Sequence, residues 1–193
     1  MQVGKEKSAV NLFKKVLSID PSNFGAWHDL GLAWAKLGKT KKALEALDKC
    51  IEIKPDLAPA WANKGLIHLP SEKYDEALEC YQKSVEHDSS FLQGWYHIGI
   101  INAVKDNFEE ALKCINKALA LNDEYYMAWF TKGEILAAMG REKEGEECYR
   151  RAYELNPGYA WKALEGEIEG ENIIHHASGM QAKKKRGGSK DFK

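Results

Sequence analysis

Apolar residues along the chain recur three and four places apart, and the pattern returns every 34 residues. Trp27, Leu30, Gly31 and Trp34 show it first; Trp95, Ile98 and Gly99 show it again two periods later. Spacing of three and four puts such residues on one face of a helix. A second apolar set follows in each period: Ala43/Leu47/Cys50, Ala77/Tyr81/Ser84, Ala111/Ile115/Ala118 and Gly145/Tyr149/Ala152. Ile51, Val85, Leu119 and Tyr153 extend it. These sets predict a second helix that ends at Pro55, Ser89, Asp123 or Pro157, where proline or a turn former stops it.

Four tryptophans mark the step: Trp27, Trp61, Trp95 and Trp129, each followed four places later by Gly31, Gly65, Gly99 or Gly133. Glycine inside a helix costs about 1 kcal/mol against alanine, so its recurrence predicts close approach of a neighbouring helix. A fixed period of this length means one supersecondary unit stacked on itself. The complete units are 24–57, 58–91, 92–125 and 126–159. Gly4, Ala9, Phe13, Val16 and Pro21 lie one period before Gly38, Ala43, Leu47, Cys50 and Pro55, so 4–21 reads as the second helix of a further unit. Two readings of that partial unit stay open: a piece of a longer array, which is the favoured one, or a chain that starts with a lone packing helix.

The pattern resembles the tetratricopeptide repeat (TPR), whose consensus W-x2-L-G-x2-Y…A-x3-F…P has the same period. The resemblance implies an all-α fold, a right-handed superhelical α-solenoid of antiparallel helix pairs. It spans one TPR domain over residues 1–176, closed by a capping helix over about 160–175, where Trp161, Leu164 and Ile168 stand among glutamates. Residues 177–193 follow as a basic, disordered tail. Some positions depart from the consensus. Lys64 and Lys132 replace its leucine, and a lysine stem can pack while its charge reaches water. His68, Asn102 and Leu136 replace its tyrosine. Pro70 should end the first helix of 58–91 early and make that unit the least regular.

The resemblance also implies a function. In TPR proteins first helices line a concave groove that holds a partner's peptide or helix. The matching groove positions are His28, Leu32, Asn63, Leu66, Tyr96, Ile100, Met127, Phe130 and Glu134. Leu32, Leu66 and Ile100 are successive equivalents, and Tyr96 and Phe130 add aromatic area, so the expectation is an exposed apolar trough. The expected partner is a protein or peptide with an apolar or amphipathic segment. A carboxylate clamp of the chaperone-binding kind is argued against, because only Asn63 matches its Lys, Asn and Arg set. The competing reading is that the stripe is core, filled by the capping helix or by assembly contacts, with the module a spacer or a self-association unit.

Composition narrows the rest. The 193 residues carry a net charge of −1. Residues 177–193 hold six Lys/Arg against Asp191, so the tail is basic and the body acidic. The four consecutive cations Lys183–Arg186, without interleaved aromatics, make nucleic-acid binding a weak expectation. No apolar run approaches the ~18 residues of a membrane span, and no secretory stretch opens the chain, so a cytoplasmic protein is expected. Cys50, Cys80, Cys114 and Cys148 follow the repeat and read as small apolar residues in a reducing compartment. No GxGxxG, P-loop, HExxH or GxSxG motif occurs. No catalytic residue, metal ligand or cofactor is assigned, and the expectation is a non-catalytic protein.

Overall fold

The computed structural model describes residues 2–158. The capping helix expected over about 160–175 and the basic tail 177–193 lie outside the described residues. Those residues form α1 (Gln2–Ile19), α2 (Phe24–Lys36), α3 (Thr40–Ile53), α4 (Ala58–His68), α5 (Tyr74–His87), α6 (Leu92–Val104), α7 (Phe108–Leu121), α8 (Tyr126–Ala138) and α9 (Glu142–Leu155), with no strand among them. From α2 onward the helices fall in pairs within the four expected units, and α1 occupies the partial one. Their contacts divide into two compact units, residues 1–94 and 95–193.

Each helix pair is locked by its glycine. A Cβ on Gly31 of α2 would lie 2.8 Å from Leu47 Cγ of α3, and one on Gly99 of α6 would lie 2.6 Å from Ile115 Cδ1 of α7. No side chain fits there, so the second helix approaches the first helix's backbone. Leu47, Ile115 and Tyr81 are fully buried in those contacts. Tyr153 does not extend the buried face of α9; it stays largely exposed.

The tryptophans tie each first helix to the turn before it. Trp27 Nε1 donates to the Pro21 carbonyl at 2.9 Å, Trp61 to Pro55 at 2.8 Å and Trp129 to Asp123 at 2.7 Å. The turns have their own side-chain bonds. Asp20 Oδ1 accepts from the Ser22 amide at 3.1 Å, Asp88 Oδ1 from Ser90 at 2.9 Å and Asn122 Oδ1 from Glu124 at 2.9 Å, all Asx turns in one register. Asn23 then caps α2 through the Ala26 amide at 2.9 Å.

Inside each pair the connection turns through one residue of positive φ: Gly38 (68°), Glu72 (55°), Asp106 (59°) and Gly140 (77°). These four are again 34 apart. Pro70 acts as expected. α4 stops at His68 after 11 residues, and a 3₁₀ turn over Leu69–Ser71 carries the chain onward. The consensus departures are also accommodated. The Lys64 ammonium lies 5.8 Å from the Trp61 ring centroid and pairs with Asp48 at 2.6 Å; Lys132 lies 5.2 Å from the Trp129 centroid. Asn102 is buried with its amide donating to the Ile98 carbonyl at 3.0 Å. The four cysteines are free and buried, and burial pushes the Cys80 and Cys114 thiols up to about 11.

Candidate functional site

The predicted groove residues come from the first helices α2, α4, α6 and α8, and the two units present them differently. In the unit of residues 1–94, Leu32 is half-buried and Leu66 is 50% exposed. Asn63 and His28, 35 residues apart, meet at 2.9 Å between Nδ2 and Nε2, which links α4 to α2. His28 Nδ1 also lies 3.0 Å from Asp29 Oδ1. A carboxylate accepts only, so the two contacts together suit an imidazole that donates from Nδ1 and accepts the Asn63 amide at Nε2. The arrangement is an apolar contact point, Leu66, beside a polar pair whose ring and amide are fixed in direction.

In the unit of residues 95–193 the corresponding face is core. Tyr96, Ile100, Phe130 and Glu134 are buried, and Met127 is half-buried. The exposed aromatic area expected at Tyr96 and Phe130, and the open apolar position expected at Ile100, are not found. Ring contacts give the reason for the aromatic pair. Tyr96 stands edge-on to Tyr125 with centroids 5.1 Å apart, and Phe130 tilts against Tyr149 at 5.2 Å. Tyr96 Oη also reaches Thr131 Oγ1 at 3.4 Å. Tyr125, Thr131 and Tyr149 were outside the predicted set. Aromatic content at Tyr125 and Tyr149 was visible in the sequence, but not its direction.

Burial there reshapes acid–base behaviour. Desolvation pushes the Glu134 carboxyl up to about 8 and raises Tyr149, the latter helped by Glu134 itself. Desolvation also holds the His97 imidazole down to about 4, although the residue as a whole keeps some exposure. These shifts follow from burial. Among the described residues no group of three or more His, Cys, Asp or Glu is placed to hold a metal ion. No helix among them is long and apolar enough to cross a membrane.

Comparison with known proteins agrees with this architecture. Three family profiles described as tetratricopeptide repeat match residues 1–66, 58–91 and 104–160. No curated protein sequence matches. A crystal structure of MamA superposes with a TM-score of 0.72 at 20% identity, covering 81% of this chain and 92% of that one. MamA residues 41 to the end from Desulfovibrio magneticus RS-1 give 0.71 at 21% identity, over 80% and 87% of the two chains. YrrB, described as a TPR protein with an unusual peptide-binding site, gives 0.68 at 17% identity over 86% of each chain. At such identities the likeness is one of fold, an α-solenoid of stacked helix pairs, and it coincides with the 34-residue step, the Trp–Gly spacing and the profile matches. The chain is therefore a member of the tetratricopeptide-repeat family, whose fold serves as a protein–protein interaction scaffold.

Proposed function

We propose that this chain is a non-catalytic scaffold that captures a peptide segment of a partner protein on the first-helix face of residues 1–94. One observation carries the reading. Leu66 is 50% exposed at a register position where Ile100 is 1% exposed, and it lies one helical turn from the His28–Asn63 pair. An exposed leucine next to oriented polar groups suits a segment that buries one apolar side chain and bonds through its backbone. Leu32 extends the apolar contact. In the second unit Met127 offers apolar surface, while Tyr96, Ile100, Phe130 and Glu134 support that face from below.

The experiment is a selection of 12-residue peptides on the wild-type chain, followed by affinity measurement on variants. Leu66→Glu and Asn63→Ala should each weaken the selected peptides by about tenfold or more, the scale of a hot-spot loss. Circular dichroism should stay unchanged, because neither side chain is core. Peptides that bind both variants as well as wild type would overturn the reading.

A further inference from the structure

We propose that the first-helix face of residues 1–94 has two recognition states set by one proton: when His28 gains it, the Asn63 side-chain amide turns over and offers a bound peptide a donor in place of an acceptor. The inference rests on that face being the peptide site of the proposed function, and it adds the regulation of that site.

The step follows from which atoms can donate. His28 Nδ1 lies 3.0 Å from Asp29 Oδ1, and Nε2 lies 2.9 Å from Asn63 Nδ2. In the neutral ring Nδ1–H donates to the carboxylate, and the Nε2 lone pair accepts from the amide. Among the described residues Asn63 Oδ1 has no hydrogen-bond partner, and it keeps contact with solvent. It is therefore the acceptor left for a peptide N–H. A protonated imidazole donates from both nitrogens, and histidine is the side chain that ordinarily changes charge between about pH 8 and 5. The bond to Asp29 then becomes charge-assisted, while Nε2–H meets the Asn63 N–H, donor to donor. A half turn of the Asn63 amide brings Oδ1 onto Nε2–H and removes the conflict. Amide oxygen and nitrogen are nearly the same size, so packing is kept and only the polarity of the open end reverses.

The surroundings tolerate both forms. On α2 the neighbour is Asp29, whose carboxylate accepts from Nδ1–H in either state. From α4 comes the neutral Asn63, while Lys64 is paired with Asp48 of α3 at 2.6 Å. The Cys50 thiol of α3 interacts with the His28 backbone; burial, then Asp29, raises it, so it stays neutral over this range. From α1, Glu6 and Lys14 reach α2 at Lys36 and Trp34, well beyond His28 along the helix.

The test follows capped, histidine-free 12-residue peptides, selected on the full chain at pH 8, by fluorescence anisotropy from pH 8 to 5. Affinity should fall about tenfold on acidification, the scale of one hydrogen bond lost to a mismatched donor. Peptides selected at pH 5 should show the reverse. His28→Gln, which cannot gain the proton, should give a flat profile, and circular dichroism at pH 5 should match that at pH 8. A flat wild-type profile overturns the proposal, as does a slope that survives in His28→Gln. Proton–nitrogen correlation spectra of the free protein give a readout that needs no peptide. The Asn63 side-chain amide resonances should move with the His28 ring titration, and resonances that ignore it also overturn the switch. Peptides that bind Leu66→Glu and Asn63→Ala as well as wild type would remove the face as the peptide site. Coupled Asn63 resonances would then still establish the turn of the amide, and uncoupled ones would overturn both.

Discussion

The first-helix faces of residues 1–94 and 95–193 share a register and differ in what their side chains do. His28 and Ala62 in the first unit stand where Tyr96 and Phe130 stand in the second. The first pair leaves Leu66 in solvent; the second belongs to a face of ring contacts with Tyr125 and Tyr149 on which Ile100 is buried. The repeat therefore sets the backbone, and side-chain volume decides whether a face is surface or core. A binding role fits the face that remains surface. A stability role fits the face that became core.

The largest test of this contrast is truncation on each face. Phe130→Ala removes a buried ring packed on Tyr149 and should cost about 3–5 kcal/mol. Leu66→Ala removes a half-exposed side chain and should stay within about 0.5 kcal/mol, as surface changes do. Urea unfolding measures both. Similar losses at the two sites would erase the distinction between the faces.

The second unit should also be the pH-sensitive one. Glu134 titrates at about 8 in the folded chain because of burial, against an ordinary 4.5. The folded state thus holds a proton that the unfolded chain releases. This contribution is complete below pH 4.5 and is lost as pH rises through 8. His97 acts in the opposite sense: with a folded value of about 4 against 6.5, its contribution is present above 6.5 and lost as pH falls toward 4. Between pH 8 and 6.5 the glutamate dominates while the unfolded-state protonation of His97 and His68 offsets part of it, so acidification over that span should stabilise the protein by about 1 kcal/mol. Glu134→Gln should flatten the slope. Thermal unfolding followed across this pH range is the measurement, and an unaltered slope in the glutamine variant would remove Glu134 as its source.

Close helix approach gives a smaller effect. Alanine at Gly31 meets Leu47 Cγ at 2.8 Å, a branch carbon that cannot swing aside. Alanine at Gly99 meets Ile115 at Cδ1 (2.6 Å) and Cγ1 (2.8 Å), and the β-branched side chain holds Cγ1 in place as firmly. Overpacking costs about 1–3 kcal/mol, and the better helix propensity of alanine returns about 1. Gly31→Ala and Gly99→Ala should therefore each lose up to about 2 kcal/mol net, by similar amounts. Widely different losses in chemical denaturation would mean that one of the two helix contacts is the more rigid.

Legibility in the sequence followed the range of the interaction. Helix pairing, the Trp–Gly step and the early stop at Pro70 were readable because each is decided within a few residues. The Trp27, Trp61 and Trp129 indoles bond carbonyls six residues earlier, so the recurring tryptophan had a local cause. The exposure of the first-helix positions was not readable. Periodicity put His28, Leu32, Asn63, Leu66, Tyr96, Ile100, Phe130 and Glu134 on the correct helices, but exposure depends on partners far along the chain. Tyr96 meets Tyr125 and Thr131, and His28 meets Asn63 at a separation of 35. No short-range pattern encodes those pairs.

The connections within helix pairs should show no difference between the units, which makes them the control for the contrast. Each unit turns once through glycine and once through an acidic residue in the left-handed region: Gly38 and Glu72 in one, Asp106 and Gly140 in the other. An L side chain there costs about 1–2 kcal/mol, and aspartate tolerates the region better than glutamate because its short side chain bonds locally. Gly38→Ala and Gly140→Ala should each lose about 1 kcal/mol, and by similar amounts, since a Cβ at either meets nothing within 4 Å and only the backbone objects. Glu72→Gly relieves the strain but frees the unfolded chain by about 0.5–1 kcal/mol, leaving a gain of about 0.5. Asp106→Gly should gain less still. Were Gly38→Ala and Gly140→Ala to differ widely, the units would differ in backbone as well as side-chain volume, and the contrast between their first-helix faces would need a different cause.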